Sequence, residues 1–119
     1  MNSSSTVFGI SFDAHNAANL ARFWAAALGR DLADGADTDN AVVLPDDLAA
    51  TGPRLAFHRV PEPKTAKNRM HFDLITSDIE SESARLIGLG ATKLASFDSP
   101  AHWVTFADPE GNEFDLIAN

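Results

Sequence analysis

Eight side chains in this sequence combine chemically useful types with the alternation of a strand: Ser11, Asp13, His58, His71, Asp73, Trp103, Glu113 and Asp115. Carboxylates and imidazoles carry general acid–base chemistry when their pKa values are tuned toward the working pH. Asp13, His71 and Asp73 are the candidates for that work. By the pattern of the strands, Asp13 and Asp73 are expected at equivalent places in two similar halves of the chain. Paired aspartates of this kind also serve simply to bind backbone amides or water. Trp103 opens a strand, where its ring could stack on a flat ligand or pack against a neighbour.

The grouping of these residues comes from strand parity. Side chains alternate between the two faces of a strand. One set, Phe8/Ile10/Phe12, Leu55/Phe57, Phe72/Leu74 and Phe114/Leu116, is uniformly apolar and should pack under helices. The opposite set, Gly9/Ser11/Asp13, Ala56/His58/Val60, His71/Asp73/Ile75 and Glu113/Asp115, carries polar groups in every strand. Burying so many ionisable groups without partners is costly, so this face should line a wet cleft that holds a small molecule.

The elements that position these residues follow from periodicity and punctuation. A strand over Thr6–Asp13 leads to a helix capped by Asn16, with an apolar stripe of Ala17, Leu20, Phe23, Trp24, Ala27 and Leu28 and a left-handed end at Gly29. Further strands are predicted near Asp31–Ala33, at Ala41–Leu44 and at Arg54–Val60, with Asp46, Asp47, Gly52 and Pro53 marking the turn before the last. The proline-bearing stretch 61–68 interrupts any ladder and forms a seam. After it the order repeats. A strand over Arg69–Thr76 precedes a helix opened by a Ser77/Glu80 capping box, with Ile79, Ser83, Leu86 and Ile87 on its apolar face and Gly90 at its end. Strands at Ala91–Phe97, Trp103–Ala107 and Asn112–Ala118 close the half, the last two joined by a turn at 108–111.

The halves overlay with Leu28-Gly29 on Leu89-Gly90, Gly9 on His71 after a slip of one residue, and Phe57-His58 on Phe114-Asp115. A duplicated βαβββ module is expected, each copy too small to bury its own sheet fully. The predicted organisation is one domain over 1–119, with module one at about 6–60, a linker at 61–68 and module two at about 69–118.

Composition excludes several classes. The chain has 119 residues, enough for one core, and no cysteine, which removes disulfides, thiolate metal sites and cysteine nucleophiles. A net charge of −8 disfavours nucleic acid and anionic membrane as partners. No apolar run reaches the length of a membrane span, and the start of the chain has no export signal, so a cytoplasmic location is expected. Phosphate-binding glycine loops, HExxH and GxSxG motifs are all missing from the sequence.

Three segments carry a family resemblance: Phe23-Trp24-Ala25-Ala26-Ala27-Leu28-Gly29, Met70-His71-Phe72-Asp73-Leu74, and Phe106-Ala107-Asp108-Pro109-Glu110-Gly111-Asn112-Glu113-Phe114. Together they resemble the vicinal oxygen chelate superfamily, which includes glyoxalase I, extradiol dioxygenases and bleomycin and fosfomycin resistance proteins; short glyoxalase-like members are the nearest in pattern. The resemblance implies an α+β fold, with two βαβββ modules forming a curved mixed sheet around a cleft, in a homodimer. The resemblance implies that metal-binding relatives use four positions, one on the first and last strand of each module, and here these fall on Gly9, His58, His71 and Asp115. Glycine cannot ligate, so the four-ligand site of glyoxalase I is not reproduced. His58, His71 and Asp115 could still hold iron, zinc, nickel or manganese. Three functions are compatible with these residues: a metal-assisted lyase, isomerase or dioxygenase, a metal-free protein that sequesters a drug or metabolite, and a metal-free acid–base enzyme using Asp13, Asp73 or His71. In each, the partner is a small molecule.

Overall fold

A computed structural model describes residues 4–46, 52–99 and 101–119. Contacts between Cα atoms divide the chain into two compact units, Met1–Glu62 and Pro63–Asn119.

The first unit contains β1 (Gly9–Ala14), α1 (Ala17–Leu28), β2 (Asn40–Val43) and β3 (Arg54–Arg59). Its sheet has the order β1-β3-β2, with β1 parallel and β2 antiparallel to β3. Helix α1 starts and stops where its residues require. The Asn16 side chain accepts the Asn19 N–H at 3.1 Å, satisfying a donor that the first turn leaves free. Gly29 ends the helix at φ 64°, a conformation that costs glycine little. All of the expected stripe is buried except Leu28, which is half-buried. Leu20 and Trp24 of α1 and Leu55 and Phe57 of β3 are all buried, and the Phe12 ring stacks on Phe57 with centroids 4.9 Å apart.

The second unit contains β4 (Asp73–Thr76), α2 (Ile79–Leu89), β5 (Thr92–Phe97), β6 (Trp103–Ala107) and β7 (Glu113–Ala118). Its sheet order is β4-β7-β6-β5, parallel between β4 and β7 and antiparallel elsewhere. Leu86, Val104, Phe106, Phe114 and Leu116 form the buried layer. Neither sheet closes into a barrel. The mixed α+β architecture expected of the fold is therefore present, and among the described residues no helix is long and apolar enough to cross a membrane.

Several local expectations are corrected. The strand at Asp31–Ala33 shrinks to a single bridge, Leu32 with Val43, because Asp34 and the positive-φ Gly35 turn the chain away. The strand over Arg69–Thr76 is regular only from Asp73, although the Phe72 carbonyl already accepts from Asp115. The cap of α2 is Asp78, not Ser77. The Asp78 Oδ1 accepts the Ser81 N–H at 3.1 Å, while the Asp78 N–H is drawn back to the Thr76 hydroxyl. Phe8 is 74% exposed rather than packed under the helix, since it precedes the first paired residue and its ring instead lies under the Arg54 guanidinium. Ile87 of the expected α2 stripe is also exposed. Asp47, in an expected turn, lies outside the described residues.

Candidate functional site

The sheet of the second unit presents its polar chemistry in rows that run across the strands. Register places Asp73 opposite Asp115, Asp115 opposite Thr105, and Thr105 opposite Ala95. His71, two residues before Asp73 on the same face, brings its Nδ1 to 3.1 Å from Asp73 Oδ1. One ligand atom from each of His71, Asp73 and Asp115 lies within 4.8 Å of the others. The Thr105 hydroxyl donates to Asp115 Oδ1 at 2.6 Å, which holds that carboxylate while leaving its other oxygen available. Two carboxylates and one imidazole at this spacing match the oxygen- and nitrogen-preferring divalent ions of the first transition row. The donor set therefore fits a cation, and a threonine supports one of its ligands.

The next row along the same face has a different character. Ile75 stands opposite Ile117, Ile117 opposite Trp103, and Trp103 opposite Phe97. Trp103 and Phe97 stack with ring centroids 4.6 Å apart.

In the first unit the polar row sits one step further along. Helix caps and strand ends give the correspondence. Ala14 ends β1 two residues before the cap Asn16, and Thr76 ends β4 two residues before the cap Asp78. Gly9 and Ser11 thus correspond to His71 and Asp73, as the one-residue slip in the helices required. Asp13 corresponds to Ile75, so the expected equivalence of Asp13 and Asp73 does not hold. The pairings then align Ala56 and Val42 with Asp115 and Thr105, and His58 with Ile117. Matching His58 to Asp115 displaces the true register by two residues. Such a slip preserves the face and so escapes any test based on alternation.

His58 accordingly belongs to a separate polar row, Asp13–His58–Asn40. Its Nδ1 lies 3.0 Å from Asn40 Oδ1, and a shallow depression lined by Asp39, Asn40, His58, Arg59, Val60 and Pro61 surrounds it. His58 is not a member of the His71–Asp73–Asp115 group. Ser11 lies exposed in the neighbouring row of the first sheet, opposite Ala56. At Gly9 an added Cβ would meet Arg54 Cγ at 3.1 Å and the Arg54 carbonyl oxygen at 3.3 Å, so a side chain there requires Arg54 to shift by a few tenths of an ångström.

Glu113 faces the same side as Asp115 but is occupied. It accepts the Asn68 N–H at 3.1 Å and pairs with Lys64 at 3.5 Å, tying the seam segment to β7. Burial alone would raise its carboxyl, but the Asn68 amide and the Lys64 ammonium hold it below the usual value of 4.5. Asp108 is buried and structural: its carboxylate accepts the backbone amides of Glu110 and Asn112 and the Asn112 side chain, which builds the turn. His15 is exposed, while His102 is half-buried beside Asp98. Sequence reasoning missed Thr105 and Asn40. Only the alternation of β6 signalled that Thr105 shares a face with Asp115.

Two small mixed sheets with one helix each match the glyoxalase/bleomycin resistance class of folds. Residues 9–117 match the family described as the glyoxalase-like domain, and the chain belongs to that family of the vicinal oxygen chelate superfamily. No curated protein sequence matches it. Among solved structures, a mutant of the fosfomycin resistance protein FosX from Listeria monocytogenes, complexed with Mn(II) and 1S,2S-dihydroxypropylphosphonic acid, is similar at TM-score 0.74 and 11% identity, covering 98% of this chain and 92% of that one. The bleomycin-binding protein of Streptomyces verticillus, complexed with copper(II)-bleomycin, is similar at TM-score 0.62 and 19% identity over 99% of both chains. A glyoxalase-related enzyme from Fulvimarina pelagi gives TM-score 0.71 and 17% identity, covering 98% and 89%. At these identities the likeness concerns the fold.

Proposed function

We propose that this protein binds a small, oxygen-rich molecule on the polar face of its second sheet through a divalent cation held by His71, Asp73 and Asp115. The observation that carries the proposal is the convergence of three ligand atoms within 4.8 Å, with Thr105 orienting one of them. A bound cation would polarise paired oxygens of the ligand or lower the pKa of a bound water. Its identity among manganese, iron, zinc and nickel follows from competition, since carboxylates and imidazole accept all four. The FosX complex with Mn(II) supports the reading as an example on this fold.

Isothermal titration of the metal-free protein with Mn(II), Fe(II), Zn(II) and Ni(II) tests it. One ion per chain is expected for at least one metal, lost in His71→Ala and Asp115→Ala. Absence of stoichiometric binding by all four would overturn the cation reading.

A metal-free binding role is the second reading. It is favoured by the 3.1 Å His71–Asp73 pair, which orders the two side chains without an ion. It predicts ligand binding insensitive to chelators. The same pair is the acid–base dyad of a metal-free enzyme, and Asp73→Asn tests that use through the pH dependence of turnover.

A further inference from the structure

Two of the nine bases are half-buried, Arg30 and Arg54. Arg30 donates to the Pro53 carbonyl at 3.1 Å. The Arg54 guanidinium has no hydrogen-bond or ion-pair partner among the described residues. A cation withdrawn from water without an acceptor is costly, and a chain with seventeen acids to nine bases could readily supply one.

Neighbouring residues fix where this cation sits. Arg54 pairs with Gly9 across β3 and β1, on the face away from the buried Leu55 and Phe57. Its side chain lies over the glycine, with Cγ 3.1 Å and Nε 3.7 Å from where a Cβ would stand. The guanidinium carbon is then 4.9 Å from the centroid of the exposed Phe8 ring. The Arg54 N–H also donates to the Phe8 carbonyl at 3.3 Å, so backbone and side chain both join the two residues. The pairings that align Ala56 with Asp115 align Arg54 with Glu113, so the same rung carries an acid in the second unit. That acid is satisfied from within, by Lys64 and Asn68. Its basic counterpart in the first unit is not.

We propose that Arg54, laid across Gly9 and against Phe8, is a binding site for the carboxylate of a small organic acid. Contact with an aromatic ring engages the π-face of a guanidinium and none of its N–H donors. The fork that takes a carboxylate through two parallel hydrogen bonds is therefore kept, while the ring and the glycine hold the side chain in one place. Such a ligand supplies the acceptor that the first unit lacks. The site stands on the first sheet and does not rest on the cation reading above.

Nuclear magnetic resonance titrations of the metal-free, 15N-labelled protein at fixed ionic strength test this, with sodium benzoate, benzamide and inorganic phosphate as probes. Benzoate should shift the Arg54 Nε–H resonance and the Gly9 and Leu55 amides saturably, with a Kd on the order of millimolar. Benzamide, of the same shape without the charge, should bind about tenfold more weakly. Arg54→Gln should abolish the response at the two amides. Arg54→Lys, which keeps the charge and loses the fork, should weaken it about fivefold. Phe8→Leu and Gly9→Ala, each of which leaves the arginine in place but less well held, should weaken it about threefold; they keep the test open if Arg54→Gln does not fold. Lys93→Gln, on the other sheet, should change nothing. No saturable shift, equal binding of benzamide, a response that survives Arg54→Gln, or an equal loss in Lys93→Gln would overturn the site. Tighter binding of phosphate than of benzoate would overturn the carboxylate assignment. Because the protein is metal-free throughout, failure here leaves the cation reading to its own titration.

Discussion

Asp73 and Asp115 stand directly opposite each other on the parallel β4–β7 pair, two carboxylates at one rung of a sheet. Like charges in that position destabilise the sheet they belong to. His71 and Thr105 relieve the repulsion from two sides, through a 3.1 Å contact with Asp73 and a 2.6 Å hydrogen bond to Asp115. On the reading proposed above, a cation bound between the two carboxylates would offset the like charge at this rung.

Replacing one charge should therefore separate stability from binding. Asp73→Asn is expected to stabilise the metal-free protein by up to about 1 kcal/mol while abolishing the stabilisation by added Mn(II). Thermal denaturation with and without Mn(II) checks both halves, and a variant that is less stable and still metal-responsive would contradict the account.

Thr105 has no ligand role of its own, yet it fixes the Asp115 rotamer. Thr105→Val should cost about 1.5–3 kcal/mol in stability, the range for a hydrogen bond to a charged group. It should also weaken cation binding by about tenfold, as loss of a supporting partner does in metal sites. Denaturant titration and calorimetry read these separately.

Asp108 holds the β6–β7 turn through three donors and is 3% exposed. Asp108→Ala leaves those donors without an acceptor and is expected to cost about 3 kcal/mol or more. The metal dependence of whatever protein remains folded should be unchanged, because the turn touches none of the three ligands.

Glu113 gives the acid limb of stability. Its carboxyl is held below 4.5 in the folded state, so it favours folding at pH values above 4.5. That contribution is lost as pH falls through the lower, folded pKa. Glu113→Gln should lose about 1 kcal/mol near neutrality, and the difference from wild type should vanish in strong acid. Urea midpoints measured across the pH range test the sign. Lys64→Met should reproduce part of the effect.

Legibility in the sequence divided by the range of the interaction that decides each feature. Helix α1 was readable from its cap, stripe and terminal glycine because those signals act within one or two turns. The faces of the strands were readable from alternation, which put His71, Asp73 and Asp115 on one side. Asp78 displaced Ser77 as a cap because the Thr76 hydroxyl, itself fixed by sheet pairing with Ala118, captures the Asp78 amide.

The sequence by itself determined the class of fold and which side chains share a face of each strand, since composition and periodicity are local properties of the chain. Which polar residues share a rung was decided only in three dimensions. Matching by chemistry aligned His58 with Asp115 and Asp13 with Asp73, a slip of one rung that keeps every residue on its face. Backbone pairing between strands distant in sequence sets that register, and it placed His71, Asp73, Asp115 and Thr105 together while giving His58 to Asn40.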